Sequence, residues 1–405
     1  MRVVWMAPLL AVSLGCSSWQ PPSVEQFFAG ELDRAEQVFR VRVEQNAGDW
    51  ILMANELATC LDAQGRYDEA WHWYYDAGRA MAVWDTSFGE SFAAIAGRED
   101  TKDYKGDPYE QALNSIYTGL VAFARGEPDN ARASFKEAML RDADSTEDRF
   151  KSDLALSFYL AAWASRAMGS DEDAASFLNE ARKARASAAG AGARDSATPE
   201  CFADFARANV LIVCSIGRGP EKVPGGRTGE LAVFRSAPGR AVAARVTVDG
   251  VAAGATETLC DVPFQAATRG GRVMDGVRKG KAVFKEVSRA AGVVMMRQGL
   301  LGRRHSKKTR DALVVAGAGA LLVSALVSAE ADVRCWRTLP DTIQAFAARI
   351  PPGRRRVRVD FVDAGGRPLA GYAREVEIDI SADGTLVLHL RSLANQIPIP
   401  ASRRR

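Results

Sequence analysis

The chain has 405 residues, 47% of them hydrophobic and 25% charged, with a net charge of +3. These values describe ordinary globular material, long enough for two or three domains, and exclude a chain too polar to build a core. The near-balance of charge conceals one basic stretch: between Arg269 and Arg310, thirteen Lys/Arg stand against only Asp275 and Glu286.

The chain begins with Arg2, an apolar run over 3–14 that is too short to span a bilayer, and then Gly15-Cys16-Ser17. A charged start, an apolar middle and a small residue before a Cys form the pattern of a bacterial lipoprotein signal. Ser13 stands where such signals prefer Leu. The expectation is a signal peptide over 1–15, lipid attachment at Cys16 and a tether over 16–23. Two or more acyl chains would then give stable anchoring. Ser17 is not Asp, so by analogy with enteric sorting the expected place is the periplasmic face of the outer membrane.

Helical hairpins follow. Gly65, Ala70, Tyr74 and Ala77 recur at the same offsets as Gly126, Ala131, Phe135 and Ala138, and again as Gly169, Ala174, Leu178 and Ala181. Gly30, Ala35 and Phe39 form a degenerate earlier copy. Ala58, Gly119 and Ala162 supply the small residue of each first helix. Small residues at helix crossings with one large residue between hairpins make the tetratricopeptide pattern. In that geometry the first helix of each hairpin lines a concave groove. Asn55, Thr59, Asp62, Phe123, Tyr159, Trp163 and Arg166 are the expected partner-binding positions.

An Ala/Gly/Ser-rich linker is expected over 184–200. Val210 to Cys214 then reads as a buried strand, and 230–234 and 241–248 as further strands, the latter closed by Asp249-Gly250. Apolar spacing from Val273 to Leu301 predicts an amphipathic helix with a basic opposite face. Ala312 to Ala329 carries no charge and is rich in Ala and Gly, which predicts a buried helix; the alternative is a membrane span. Strands over 354–363, 373–381 and 385–393 complete the pattern with period-two alternation. The expected fold is α+β: tetratricopeptide-like repeats over 24–183, then a mixed domain over 201–395. That domain would hold strands, the two helices just named and a C-terminal antiparallel β meander, before a basic tail at 396–405.

Chemistry is sparse. His72, His305 and His389 show no metal spacing, and no phosphate loop, HExxH or GxSxG motif occurs. No cofactor or metal is expected, and no enzyme. Cys60 reads as a small buried hydrophobe, while Cys201 with Cys214, or Cys260 with Cys335, could bridge in an oxidising compartment. The segment Asp103 to Glu110 reads as a connector whose tyrosines pack on the hairpin behind it. Asp332, Arg334 and Trp336 read as an internal ion pair and stacking contact.

The runs Tyr104 to Glu110, Ile216 to Lys222, Ala331 to Pro340 and Pro352-Gly353-Arg354 together resemble an uncharacterised family of bacterial envelope lipoproteins with tetratricopeptide-like N-terminal halves. No activity travels with that resemblance. It implies an envelope protein, and the repeat groove adds the expectation of a lipid-anchored scaffold or assembly factor for protein partners. Possible contact of 269–310 with anionic lipid is a further expectation, and nucleic acid is not a partner. An integral component of an export assembly, spanning the membrane at 312–329, is the alternative reading. A cell-wall-active enzyme is the third.

Overall fold

The computed structural model describes residues 22–45, 47–84, 104–143, 153–194, 198–225, 231–236, 239–269, 332–382 and 384–395. The expected signal peptide, Cys16, His305, the expected helices at 273–301 and 312–329, the basic stretch beyond Arg269 and the tail at 396–405 lie outside these residues.

The N-terminal half is four helical hairpins: α1 (Pro22–Phe28) with α2 (Leu32–Gln45), α3 (Trp50–Ala63) with α4 (Tyr67–Trp84), α5 (Pro108–Ala124) with α6 (Pro128–Ala143), and α7 (Ala155–Ala167) with α8 (Asp171–Gly190). Each hairpin turns on its recurring glycine. Gly30, Gly65, Gly126 and Gly169 all have φ between +75° and +81°. In the second hairpin Gly65 N–H donates to Asp62 O and Arg66 N–H to Leu61 O. That pair of bonds closes a helix on a left-handed residue, which glycine adopts without a Cβ penalty. The small residues bury where helices cross: Ala35, Ala70, Ala77, Ala131, Ala138, Ala174 and Ala181 are all buried. Gly119 shows why size is limited there, since a Cβ would run into the Phe135 ring.

The last helix runs on to Gly190, through residues read from composition as the start of a linker. Alanine is the strongest helix former, and Arg185 is wholly buried within this stretch. Beyond it Arg194 pins the chain, bonding Asp261 at 2.8 Å and Asp341 at 3.0 Å.

The C-terminal half is two stacked four-stranded sheets with a small hairpin. The strands are β1 (Val210–Ile216), β2 (Glu221–Gly225), β3 (Leu231–Arg235), β4 (Ala243–Val248), β5 (Val251–Ala255), β6 (Glu257–Asp261), β7 (Thr342–Ala348), β8 (Gly353–Val362), β9 (Arg374–Ile380) and β10 (Leu386–Arg391). Two short helices, α9 (Glu200–Asp204) and α10 (Val262–Arg269), flank them. The inner sheet has the order β10-β1-β7-β6 and the outer sheet β5-β4-β8-β9, while β2 and β3 pair alone. The turn at Asp249-Gly250 joins β4 to β5 with both residues at positive φ, as a two-residue hairpin requires. β8 and β9 pair antiparallel as the alternation suggested. The last strand leaves that pair, and β10 joins β1 in parallel, Val213 opposite His389.

Side-chain alternation divides the core in two. Leu211 and Val213 of β1 and Val387 of β10 pack into the core shared with the helices. Ile212 and Cys214 of β1 and Leu390 of β10 face Val357, Val359, Phe361, Val376 and Ile378 of the outer sheet. The result is three layers: helical repeats, inner sheet, outer sheet. The same division explains the thiols. Cys201 packs on the helical side and Cys214 on the inter-sheet side, and all five cysteines from Cys60 to Cys335 are buried thiols outside any disulfide, so neither possible bridge forms.

Candidate functional site

The inner face of the repeats is where sequence placed a partner, and the structure fills it with the chain's own C-terminal half. α3 is buried along Ile51–Ala63, including the polar stripe Asn55, Glu56, Thr59 and Asp62. A helix apolar on its remaining surface can bury such a stripe only if each polar group finds a bond. Three sets of bonds do this.

The segment 332–340 lies along the second and third hairpins. Trp336 is 1% exposed, and its indole Nε1–H reaches Thr59 Oγ1 at 3.1 Å and Thr338 Oγ1 at 3.0 Å. Its ring lies 5.9 Å from that of Tyr74 and 5.7 Å from that of Tyr117. The main chain is held as firmly. Trp336 N–H donates to Glu110 at 2.6 Å, Arg337 N–H to Glu56 at 2.7 Å and Thr338 N–H to Glu56 at 3.2 Å. Just upstream, Arg334 bridges Asp332 and Asp49, each at 2.7 Å; an internal ion pair with Asp332 forms as expected, but it docks this segment onto the repeats and not a helix onto the β-domain.

Glu110 is the most heavily bonded carboxylate. Besides Trp336 it accepts from Tyr104 OH at 2.5 Å, Tyr109 OH at 3.3 Å and the main chain of Asp107 at 2.7 Å. Asp107 and Glu110 form a capping box at the start of α5. Lys222 of β2, itself buried, closes on Asp107. Burial pushes the Glu110 carboxyl up against the opposing pull of Lys222. Lys222 itself is held protonated, Asp107 and Glu110 outweighing its burial. Burial likewise pushes Glu56 up, to about 7, and the Thr338 side chain and the main-chain donors offset this only in part.

Asp62 anchors the third set. His389 Nδ1 lies 3.2 Å from its Oδ2, and Arg391 reaches it at 3.4 Å while lying 4.5 Å over the Tyr117 ring. Burial would raise this carboxyl, but His389 and Arg391 hold it below its ordinary range. Ser215 Oγ then lies 3.0 Å from His389 Nε2 and 3.1 Å from Tyr117 OH. A serine, an imidazole and a carboxylate in a hydrogen-bonded line is the arrangement that activates a serine nucleophile. Here it is closed. Ser215, His389 and Asp62 are all buried, Ser215 lies within the central strand β1, and Tyr117 covers the other side of its hydroxyl. In this state the line serves as a bonded bridge from α5 through the sheet to α3.

The other expected groove residues follow the same pattern. Asn55 accepts from Asn114 Nδ2 of the next hairpin at 2.8 Å. Tyr159 OH donates to Cys201 O at 2.8 Å, and Arg166 donates to Phe205 O while its guanidinium sits 4.1 Å over Trp163 and 4.3 Å over Phe205. Trp163 is fully buried. Phe123 is half-buried and packs 6.2 Å from Phe135 of its own hairpin. Tyr159 and Arg166 thus meet residues of the C-terminal half, while Asn55 and Phe123 meet residues of the repeats. Glu56, Tyr117, Ser215 and Arg391 complete the site without having been singled out from sequence. The one available signal was the polar stripe on α3.

The outward face of α4 is different. Trp71 stacks on Tyr75 at 4.8 Å, Arg125 lies 4.7 Å over Trp71 and Arg79 lies 5.9 Å over Tyr75. Tyr75 is 43% exposed, and His72 beside it is exposed with Nδ1 2.7 Å from Asp68 O. A cavity of about 400 Å³ lies elsewhere, between α9, β5 and the end of β7, and Asp204 and Arg207 on its wall pair with each other. Among the described residues, no three His, Cys, Asp or Glu side chains gather in a metal-holding group, and no helix is long and apolar enough to cross a membrane.

No family model matches the chain, and no curated protein matches it. Among solved structures it is similar to the crystal structure of MamA, at 15% identity over 42% of this chain and 99% of that one, with a TM-score of 0.22. A likeness at that level carries no argument. The helical-repeat architecture rests on the four hairpins themselves.

Proposed function

We propose that this protein is a non-enzymatic scaffold of the cell envelope, lipid-anchored through Cys16 on the periplasmic face of the outer membrane, that binds protein partners. The observation that carries the choice of partner-binding surface is the filled inner face. With Trp336, His389 and Arg391 occupying it, the surface of the repeats left for a partner is the outward one, where Trp71, Tyr75, Arg79 and Arg125 cluster. Tryptophan, tyrosine and arginine are the residue types that dominate binding energy at interfaces. The resemblance to envelope lipoproteins supports the anchor and the location.

A photo-crosslinking residue at Tyr75 should capture a partner in intact cells, while one at Asn55 should crosslink only within the chain. Capture from Asn55 with none from Tyr75 would return the working surface to the inner face. The anchor is tested separately. A fatty-acid probe should label the wild type and not Cys16→Ala, and label surviving that change would remove lipid attachment at Cys16.

A further inference from the structure

The inner face carries three buried carboxylates, and they are not equivalent. Asp62 touches His389 and Arg391, and Glu110 has four hydrogen-bond donors with Lys222 nearby. Glu56 is bonded by two main-chain N–H groups and the Thr338 side chain and, among the described residues, has no cation within ion-pair distance. The charged groups on the elements packed around it are committed elsewhere. Arg391 and His389 of β10 serve Asp62, Lys222 of β2 serves Asp107, and Arg334 serves Asp49 and Asp332. Cys60, one turn further on α3, bonds Leu32 O. Arg337 attracts Glu56 only from a distance. An ionised carboxylate without a cation in a buried site bears a desolvation cost that these neutral hydrogen bonds do not remove.

We infer that Glu56 is a proton-controlled latch, whose neutral form holds segment 335–340 in the repeat groove and whose ionisation loosens that segment. The sign follows from linkage. A carboxyl whose folded value is raised above its ordinary value of 4.5 contributes fully below that value and loses its contribution as pH rises through about 7. One proton is lost per opening, so local opening should rise about tenfold per pH unit across that window. The latch concerns closure of the inner face and holds whichever surface a partner uses.

Hydrogen exchange of the full chain, resolved by peptide and corrected for the intrinsic pH dependence of amide exchange, reads this directly. In the wild type, protection over 335–340 should fall about tenfold per unit between pH 5 and pH 7, while β8 and β9 stay level. In Glu56→Gln the fall should vanish. If that variant does not fold, Glu56→Met removes the carboxyl at similar volume and serves the same comparison. A level wild-type profile overturns the latch. So does a fall that persists in the variant, which would assign the proton to Glu110, and so does a fall shared by β8 and β9, which would mean whole-chain unfolding.

Discussion

Two sets of ion pairs, one on the inner face of the repeats and one on the outer sheet, use the same chemistry for different ends. Asp62 and Arg391 are both nearly inaccessible and lie between layers contributed by opposite halves of the chain. On the outer sheet, Arg354 pairs with Glu377 and Arg358 lies 2.8 Å from Asp360, with the Arg354 side chain 79% exposed. Water already solvates the outer set, so its pairs contribute little beyond keeping that face soluble. The inner set is closed off from bulk solvent. Its value is in selecting one docking register of sheet against helices, because any shift would strand a charge.

Breaking the inner pair on one side should give the largest effect. Asp62→Ala leaves the Arg391 guanidinium buried without its carboxylate and should cost about 3–5 kcal/mol in denaturant unfolding. Trp336→Ala empties the groove of its largest side chain and should cost a similar ~3–5 kcal/mol. Replacing both charges together, Asp62→Leu with Arg391→Met, should recover most of the first loss. Failure to recover would mean that the pair contributes stability beyond mutual compensation. Acid should act on the same site: Asp62 contributes above its ordinary value of 3.8 and loses that contribution as pH falls below it. A pH titration of unfolding midpoints should therefore show a steeper acid loss in the wild type than in the double variant.

Smaller effects test the repeats and the outer sheet. Ala70→Leu and Ala131→Leu occupy equivalent helix crossings, and each should lower stability by about 1–3 kcal/mol through overpacking. Similar shifts in melting temperature at the two sites would confirm one hairpin geometry. Arg354→Ala should change stability by no more than about 1 kcal/mol, less at high salt. A larger loss would erase the distinction between the two sets.

The repeats were legible because their signals are local. Gly65, Ala70, Tyr74 and Ala77 fall within one hairpin, and the turn that demands glycine lies within two residues of the bonds that close it. The strands were legible as strands for the same reason. Their partners were not. Val387, His389 and Arg391 alternate with Leu386, Leu388 and Leu390, and both faces of β10 are needed, one for the helices and one for the outer sheet. Period-two alternation cannot say that Val213 will lie opposite His389. Asn55, Thr59 and Asp62 lie on the buried stripe of α3, and geometry internal to one hairpin cannot reveal that a distant part of the same chain will cover it.

The parallel pairing of β10 with β1 also sets an order of events. Asp62 meets His389 and Arg391 across more than three hundred residues of chain, and the main chain of Ala394 closes on Phe28 of the first hairpin. Closing so long a loop is entropically slow, and its contacts stabilise only after closure. The repeats can form before the sheet docks, and until it does their inner face stays wet, with Glu56, Asp62 and Tyr117 exposed. A nascent or truncated chain therefore presents an open groove that the finished protein conceals, and that interval is when a chaperone would find its grip.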